Sequence, residues 1–160
     1  DKLLYIDFDG VYMNSEVWIN GHYLGKRPYG YTSFRYHLTP YLNFGDKINV
    51  IAVKVDNSRQ PNSRWYSGSG IYRNVWLTEV KPVHVGHWGT FVTTPDVSDD
   101  AATVKAEQTI KNSLKHDVTA NVISSVVDPS GKEVGTKTSA QVEIESGDNI
   151  TIFNNCYANC

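Results

Sequence analysis

Short apolar runs alternate with polar residues along most of the chain, and turn residues separate them. Leu3 to Phe8 reads as a hydrophobic strand broken by Asp9-Gly10. Glu16 to Ile19 and His22 to Gly25 flank Asn20-Gly21, the strongest short-range signal for a two-residue type I′ hairpin. Arg27 to Tyr31 is a loop punctuated by Pro and Gly, and Thr32 to Leu38 alternates as a strand does. After the turn Asn43-Phe44-Gly45-Asp46, the stretch Lys47 to Asp56 carries Ile48, Val50, Ile51, Val53 and Val55. With apolar residues on both faces, it is expected to be a central sandwich strand. Asn74 to Val80 forms a further strand.

At Lys81-Pro82 the texture changes: aromatic residues thin out, and Thr, Ser, Val, Asp and Lys take over. Val83 to Thr93 reads as a strand and Pro95 to Asp100 as a polar loop. From Thr103 to Lys111, Val104, Ala106 and Ile110 face in, while Lys105, Glu107 and Lys111 face out. Val118 to Val126 repeats the alternation. Glu133 to Lys137, a strand through Val142 and Ile144, and Ile150 to Phe153 follow, separated by Asp128-Pro129-Ser130-Gly131 and Ser146-Gly147-Asp148. No helical periodicity is present. The expectation is an all-β chain of two sandwich units, 1–81 and 82–160, the second of immunoglobulin-like texture with about five strands. Both units are expected to be incomplete, the first at its N-terminal side and the second at its C-terminal side, leaving strand edges open to self-association.

The chain has 160 residues, 40% of them hydrophobic and 20% charged, enough for a real core. A net charge of -2 gives no electrostatic case for a nucleic-acid partner, and no apolar run approaches bilayer-spanning length. The chain opens on Asp1 with neither initiator Met nor signal-like segment, so it reads as an excised piece whose compartment is not encoded. Cys156 and Cys160 have neither a redox nor a zinc spacing and read as incidental thiols on a loose terminus. Asn149-Ile150-Thr151 matches a glycosylation sequon, a pattern short enough to arise by chance.

Candidate chemistry concentrates between Pro61 and Trp76, where Trp65, Tyr66, Tyr72 and Trp76 sit beside Arg64, Arg73, Gly68 and Gly70. Ring faces cover the C–H side of a sugar, and guanidinium forks donate to vicinal oxygens. Tyr29 and Tyr31 in the earlier loop belong with them, as do the donors Arg27, Asn57 and Asn62. The same residues would also serve as a buried aromatic plug at one end of a sandwich. Asp7, Asp9, Glu16, Asp56 and Glu79 form no recognisable acid/base pair, so no catalytic residue is assigned. His84 and His87 point to opposite faces of a strand, and no metal or cofactor is expected. Ser67-Gly68-Ser69-Gly70 lacks the Gly-Lys-Ser/Thr ending of a phosphate loop.

Three groups of residues carry a resemblance. They are Phe8-Asp9-Gly10-Val11, Val17 to Gly25 with Tyr29-Gly30-Tyr31, and Arg64-Trp65-Tyr66-Ser67-Gly68-Ser69-Gly70-Ile71-Tyr72-Arg73-Asn74-Val75. In order and spacing they resemble the N-terminal sugar-binding domain of glycoside hydrolase family 2, the β-galactosidase, β-glucuronidase and β-mannosidase group. The resemblance covers Leu3 to Val80; from Pro82 onward the texture is similar to that family's immunoglobulin-like second domain. It implies a partial jelly-roll sandwich followed by a partial immunoglobulin-like sandwich, both supporting a catalytic barrel domain that this chain lacks. It implies, too, that Asn62, Arg64 and Trp65, with Arg27 from the neighbouring loop, contact a β-galactoside-like carbohydrate. Ile71, Tyr72 and Val75 are expected to pack. Ser63 stands where some relatives have a carboxylate, which leaves the sugar open. A free-standing carbohydrate-binding or adhesion sandwich is the alternative.

Overall fold

The computed structural model of the chain describes residues 2–59 and 66–159, with the backbone alone at Asn159. The described residues are strands joined by turns, with a single 3₁₀ turn over Thr39–Tyr41. The chain divides into two compact units, Asp1–Val80 and Lys81–Cys160.

In the first unit β1 (Leu3–Phe8), β2 (Val11–Tyr12), β3 (Ser15–Ile19), β4 (His22–Arg27) and β5 (Phe34–His37) precede the 3₁₀ turn. After it come β6 (Ile51–Lys54), β7 (Gly70–Ile71) and β8 (Val75–Val80). They form the antiparallel sheets β5-β1-β8 and β4-β3-β6 and the ribbon β2-β7. Strand alternation sends Ile6, Phe8, Val17, Ile19 and Phe34 into one buried cluster with Val11 and Leu38. The outward side of β1 is held by charge. Asp7 accepts from Arg35 Nε at 2.5 Å, Arg35 Nη2 at 3.0 Å and the Thr78 hydroxyl at 2.7 Å, linking all three strands of the sheet.

The Asn20-Gly21 turn forms as expected, with positive φ at both residues (50° and 84°) and Ile19 paired with His22. The stretch 47–56 does not form the expected central strand. Only Ile51–Lys54 is extended into a ladder, and among the described residues it pairs with β3 alone. Ile48 and Val50 are 81% and 60% exposed. The cause lies in three amides. Asn20 accepts from the Val50 N–H and donates to the Tyr41 carbonyl and Asn49 Oδ1, while Asn43 and Asn49 bond each other's segment. Side chains thus take over the backbone groups that a ladder would have used.

The second unit holds β9 (Val83–Val97), β10 (Ala101–Asn112), β11 (Val118–Ala120), β12 (Ile123–Val127), β13 (Glu133–Thr138), β14 (Val142–Ile144) and β15 (Asn149–Asn159). They build the sheet β15-β10-β9 and the pairs β11-β14 and β12-β13, more strands than the five expected. The segment expected as one strand over 118–126 breaks at Val122, whose N–H and carbonyl are both engaged by Ser139. Ile110, Val122, Ile144 and Ile152 form the core. Beside it Asn112 donates to the carbonyls of His116, Ile144 and Glu145 at 3.0–3.1 Å and accepts from the Leu114 N–H. The last strand runs well past Phe153, which corrects the loose-terminus expectation for Cys156. Its thiol is buried and donates to the Ser124 carbonyl at 3.3 Å. Cys160 lies outside the described residues.

Candidate functional site

Two glycines build the site. A Cβ at Gly10 would stand 2.6 Å from Tyr72 Cζ, and one at Gly30 would stand 2.5 Å from Tyr12 Cδ2. Each tyrosine ring therefore lies directly on a backbone that only glycine leaves open. Tyr72 is fixed twice more, by its N–H to the Gly10 carbonyl at 3.3 Å and by its hydroxyl to the Gly30 carbonyl at 2.8 Å. Tyr12 is placed by the β2-β7 ribbon, in which it opposes Gly70. Tyr31 meets Tyr12, Tyr29 and Tyr72 edge-on, with centroids at 5.3, 5.6 and 6.4 Å.

Between these rings opens a recess of about 280 Å³, lined by Tyr12, Tyr31, Tyr66, Ser67, Ser69 and Tyr72 together with Gly68. Tyr66 stands fully exposed at its lip. Ring faces and hydroxyls alternate around the opening, the arrangement that a polyhydroxylated ring calls for. Among the described residues its lining offers ring faces and hydroxyls, a lining suited to binding. Asp56, where the preceding loop begins, is occupied structurally. The Ser58 hydroxyl and N–H both bond its carboxylate, at 2.6 and 3.0 Å, and hold it below the usual carboxylate range.

Of the residues expected at the site, Asn62, Arg64 and Trp65 lie outside the described residues. Arg27 ends β4 and does not line the recess. Its guanidinium sits 5.9 Å over each of the Phe34 and Tyr36 rings. Tyr29, Tyr31 and Tyr72 come together as the sequence suggested, whereas Trp76 turns away to donate its indole N–H to Asp9 at 2.9 Å. Asn57 reaches the recess indirectly, through the Ser67 hydroxyl at 3.5 Å. Ile71 and Val75, expected to pack, are 48% and 42% exposed; the two-residue β7 that holds Ile71 pairs only with β2 among the described residues, and Val75 opens the edge strand β8. Tyr12 was missed. Its signal was the Gly10-Val11-Tyr12 spacing, which puts Tyr12 on the face opposite Val11.

Residues 2–82 match the family model described as glycosyl hydrolases family 2, sugar binding domain. The chain belongs to glycoside hydrolase family 2. Within that family it is 55% identical over 143 residues to beta-galactosidase BoGH2A of Bacteroides ovatus, covering 89% of this chain and 17% of that protein. A beta-galactosidase of Thermoanaerobacter pseudethanolicus is 38% identical over 92 residues, 52% of this chain and 12% of its own length. Among solved structures, a family 2 member from Bacteroides cellulosilyticus superposes with a TM-score of 0.92 at 35% identity, over 99% of this chain and 21% of that one. A family 2 beta-glucuronidase gives 0.92 at 30% identity, over 99% and 18%. The chain thus spans about a fifth or less of each of these four relatives.

Proposed function

We propose that this chain is the non-catalytic, sugar-contacting part of a β-galactosidase-like glycoside hydrolase. In this reading 1–81 is a jelly-roll sugar-binding domain and 82–160 an immunoglobulin-like domain. The tyrosine recess, together with Asn62, Arg64, Trp65 and Arg27, receives the terminal sugar of a β-galactoside. A barrel domain elsewhere in the longer protein supplies the carboxylates. One observation carries the proposal: a recess walled by four tyrosines within the residues that match the family's sugar-binding domain. The purified chain should turn over no chromogenic β-galactoside, and turnover would sink the reading. Titration of the full-length protein with galactosides should show binding that Trp65→Ala weakens, while the purified chain alone shows none.

Ring faces and the Ser67 and Ser69 hydroxyls line the recess together, which favours as second reading a carbohydrate-binding module that works without a barrel. Galactoside binding by the isolated chain as tight as by the full-length protein supports the module; binding seen only with the barrel present supports the first reading. Self-association belongs to the proposal as well. Among the described residues β6 and β8 each pair on one side only, and beside them lies an apolar trough lined by Leu4, Leu42, Phe44, Ile51 and Leu77. Sedimentation of the isolated chain should show dimers that Val50→Lys weakens; a monomer at all concentrations refutes it.

A further inference from the structure

The outward face of the sheet β15-β10-β9 carries rings without a covering layer in its own unit. Thr103 of β10 is paired with Tyr157 of β15 on one side and Asp96 of β9 on the other, so all three side chains share one face. At that row opens a recess of about 430 Å³, lined by Asp96, Ser98, Thr103 and Tyr157 together with Pro95 and Val97. Tyr157 is 71% exposed. Further along the same face Glu107 is flanked by Phe91 and Phe153, both well exposed, and Lys105 lies beside it. Lys105 Nζ bonds Glu107 Oε1 at 3.1 Å and sits 5.3 Å from the Phe153 centroid.

We propose that this face is a second carbohydrate site, for an oligosaccharide, distinct from the tyrosine recess. Tyr157 stacks on one sugar ring while the Asp96 carboxylate accepts from its vicinal hydroxyls and the Thr103 hydroxyl bonds a third oxygen. Phe153 lies four residues along the same strand, about 13 Å away, and Phe91 sits two strand spacings, about 10 Å, from Phe153. Those intervals exceed one sugar ring, so the ligand is a chain of sugars that touches the rings in turn. Between the rings Lys105 and Glu107 offer a donor and an acceptor to the intervening hydroxyls. A protein partner would have to bury both charges; a glycan hydrogen-bonds them while they stay hydrated. This combination favours a glycan over a second copy of the chain.

The test is amide chemical-shift mapping of the whole chain titrated with cello-oligosaccharides and galacto-oligosaccharides, with methyl galactoside for comparison. Shifts at 96–103 and 153–157 that appear with oligosaccharide are expected. Tyr157→Ala should weaken that response about tenfold, the loss of one ring contact, while Tyr157→Phe keeps it. Shifts confined to 12–31 and 66–72 overturn this proposal and leave the first site standing; the converse pattern does the reverse. Identical titrations of Tyr157→Ala and the parent chain, with the variant folded by circular dichroism, also overturn it. So does a dimer abolished by Tyr157→Ala with no response to sugar.

Discussion

Adding one methyl group at Gly10 tests the account of how the tyrosine recess is held. In Gly10→Ala the new Cβ meets Tyr72 Cζ at 2.6 Å and its hydroxyl oxygen at 2.7 Å, about 1 Å inside ordinary contact. Gly10 has no positive φ, so the backbone accepts alanine and the cost falls on the ring. If the ring stays and the neighbours yield, overpacking costs about 1–3 kcal/mol, and displacing the 2.8 Å bond from the Tyr72 hydroxyl to Gly30 adds about 1 kcal/mol. If the ring swings out, it forfeits what it buries. Tyr72 is 48% exposed, so about 100 Å² returns to water, about 2.5 kcal/mol as an upper value, plus the same hydrogen bond. Both routes give about 2–4 kcal/mol. The assay is urea unfolding of Gly10→Ala, Tyr72→Ala and the double variant. Once the ring is gone the methyl group has nothing to strike, so the double variant should be no less stable than Tyr72→Ala. Additive losses, or a Gly10→Ala cost below about 0.5 kcal/mol, would refute the seat described for Tyr72.

Asp7→Asn removes the charge that binds β5, β1 and β8, leaving Arg35 without its carboxylate. With both side chains mostly buried, unit 1 should lose about 2–4 kcal/mol in a denaturant titration. Asn112→Ala removes a donor from the carbonyls of His116, Ile144 and Glu145, the last of which keeps the Asp148 N–H, and strands the Leu114 N–H. It should lower the stability of unit 2 by about 3 kcal/mol, a loss to be read from its thermal midpoint, whereas Lys111→Ala on the exposed side of β10 costs under about 0.5 kcal/mol. Burial pushes the Tyr36 hydroxyl above its ordinary value of 10.0, against the opposing pull of Arg27, and it has no hydrogen-bond partner among the described residues. Because the folded value is the higher one, the associated stability is present below about pH 10 and is lost as pH rises through that folded value. Alkaline denaturation should show that decline, and Tyr36→Phe should flatten it with little effect at neutral pH.

Local chemistry made much of the fold legible. Asn20-Gly21 specified its turn through the positive φ that those two residues tolerate, and the alternation of Ala106 and Ile110 against Glu107 and Lys111 assigned the faces of β10. What periodicity could not show was side chains acting on distant backbone. Ile48 and Val50 read as core because nothing in an apolar run signals that Asn20, Asn43 and Asn49 will bend it. Cys156 read as a terminal thiol because a buried partner such as Ser124 lies far away in sequence. At the site, the sequence marked Tyr29, Tyr31 and Tyr72 and the glycine-bearing blocks, yet the reason for those glycines appeared only when rings were found lying on them. For Tyr12 the Gly10-Val11-Tyr12 spacing gave its face of the strand, but its meeting with Tyr31 depends on contacts distant in sequence.

That same seating of Tyr72 on Gly10 and Gly30 bears on the order in which the molecule comes into being. Its contacts join residues 62 and 42 positions apart in the chain, as β1 is also joined to β8. Closing such long loops is slow compared with forming the Asn20-Gly21 hairpin. During synthesis the hairpin can fold as soon as it leaves the ribosome, but the recess has no wall until Tyr72 has emerged. The recess is thus among the last features the first unit completes, and a nascent chain halted before that residue would carry Tyr12 and Tyr31 without the ring that faces them.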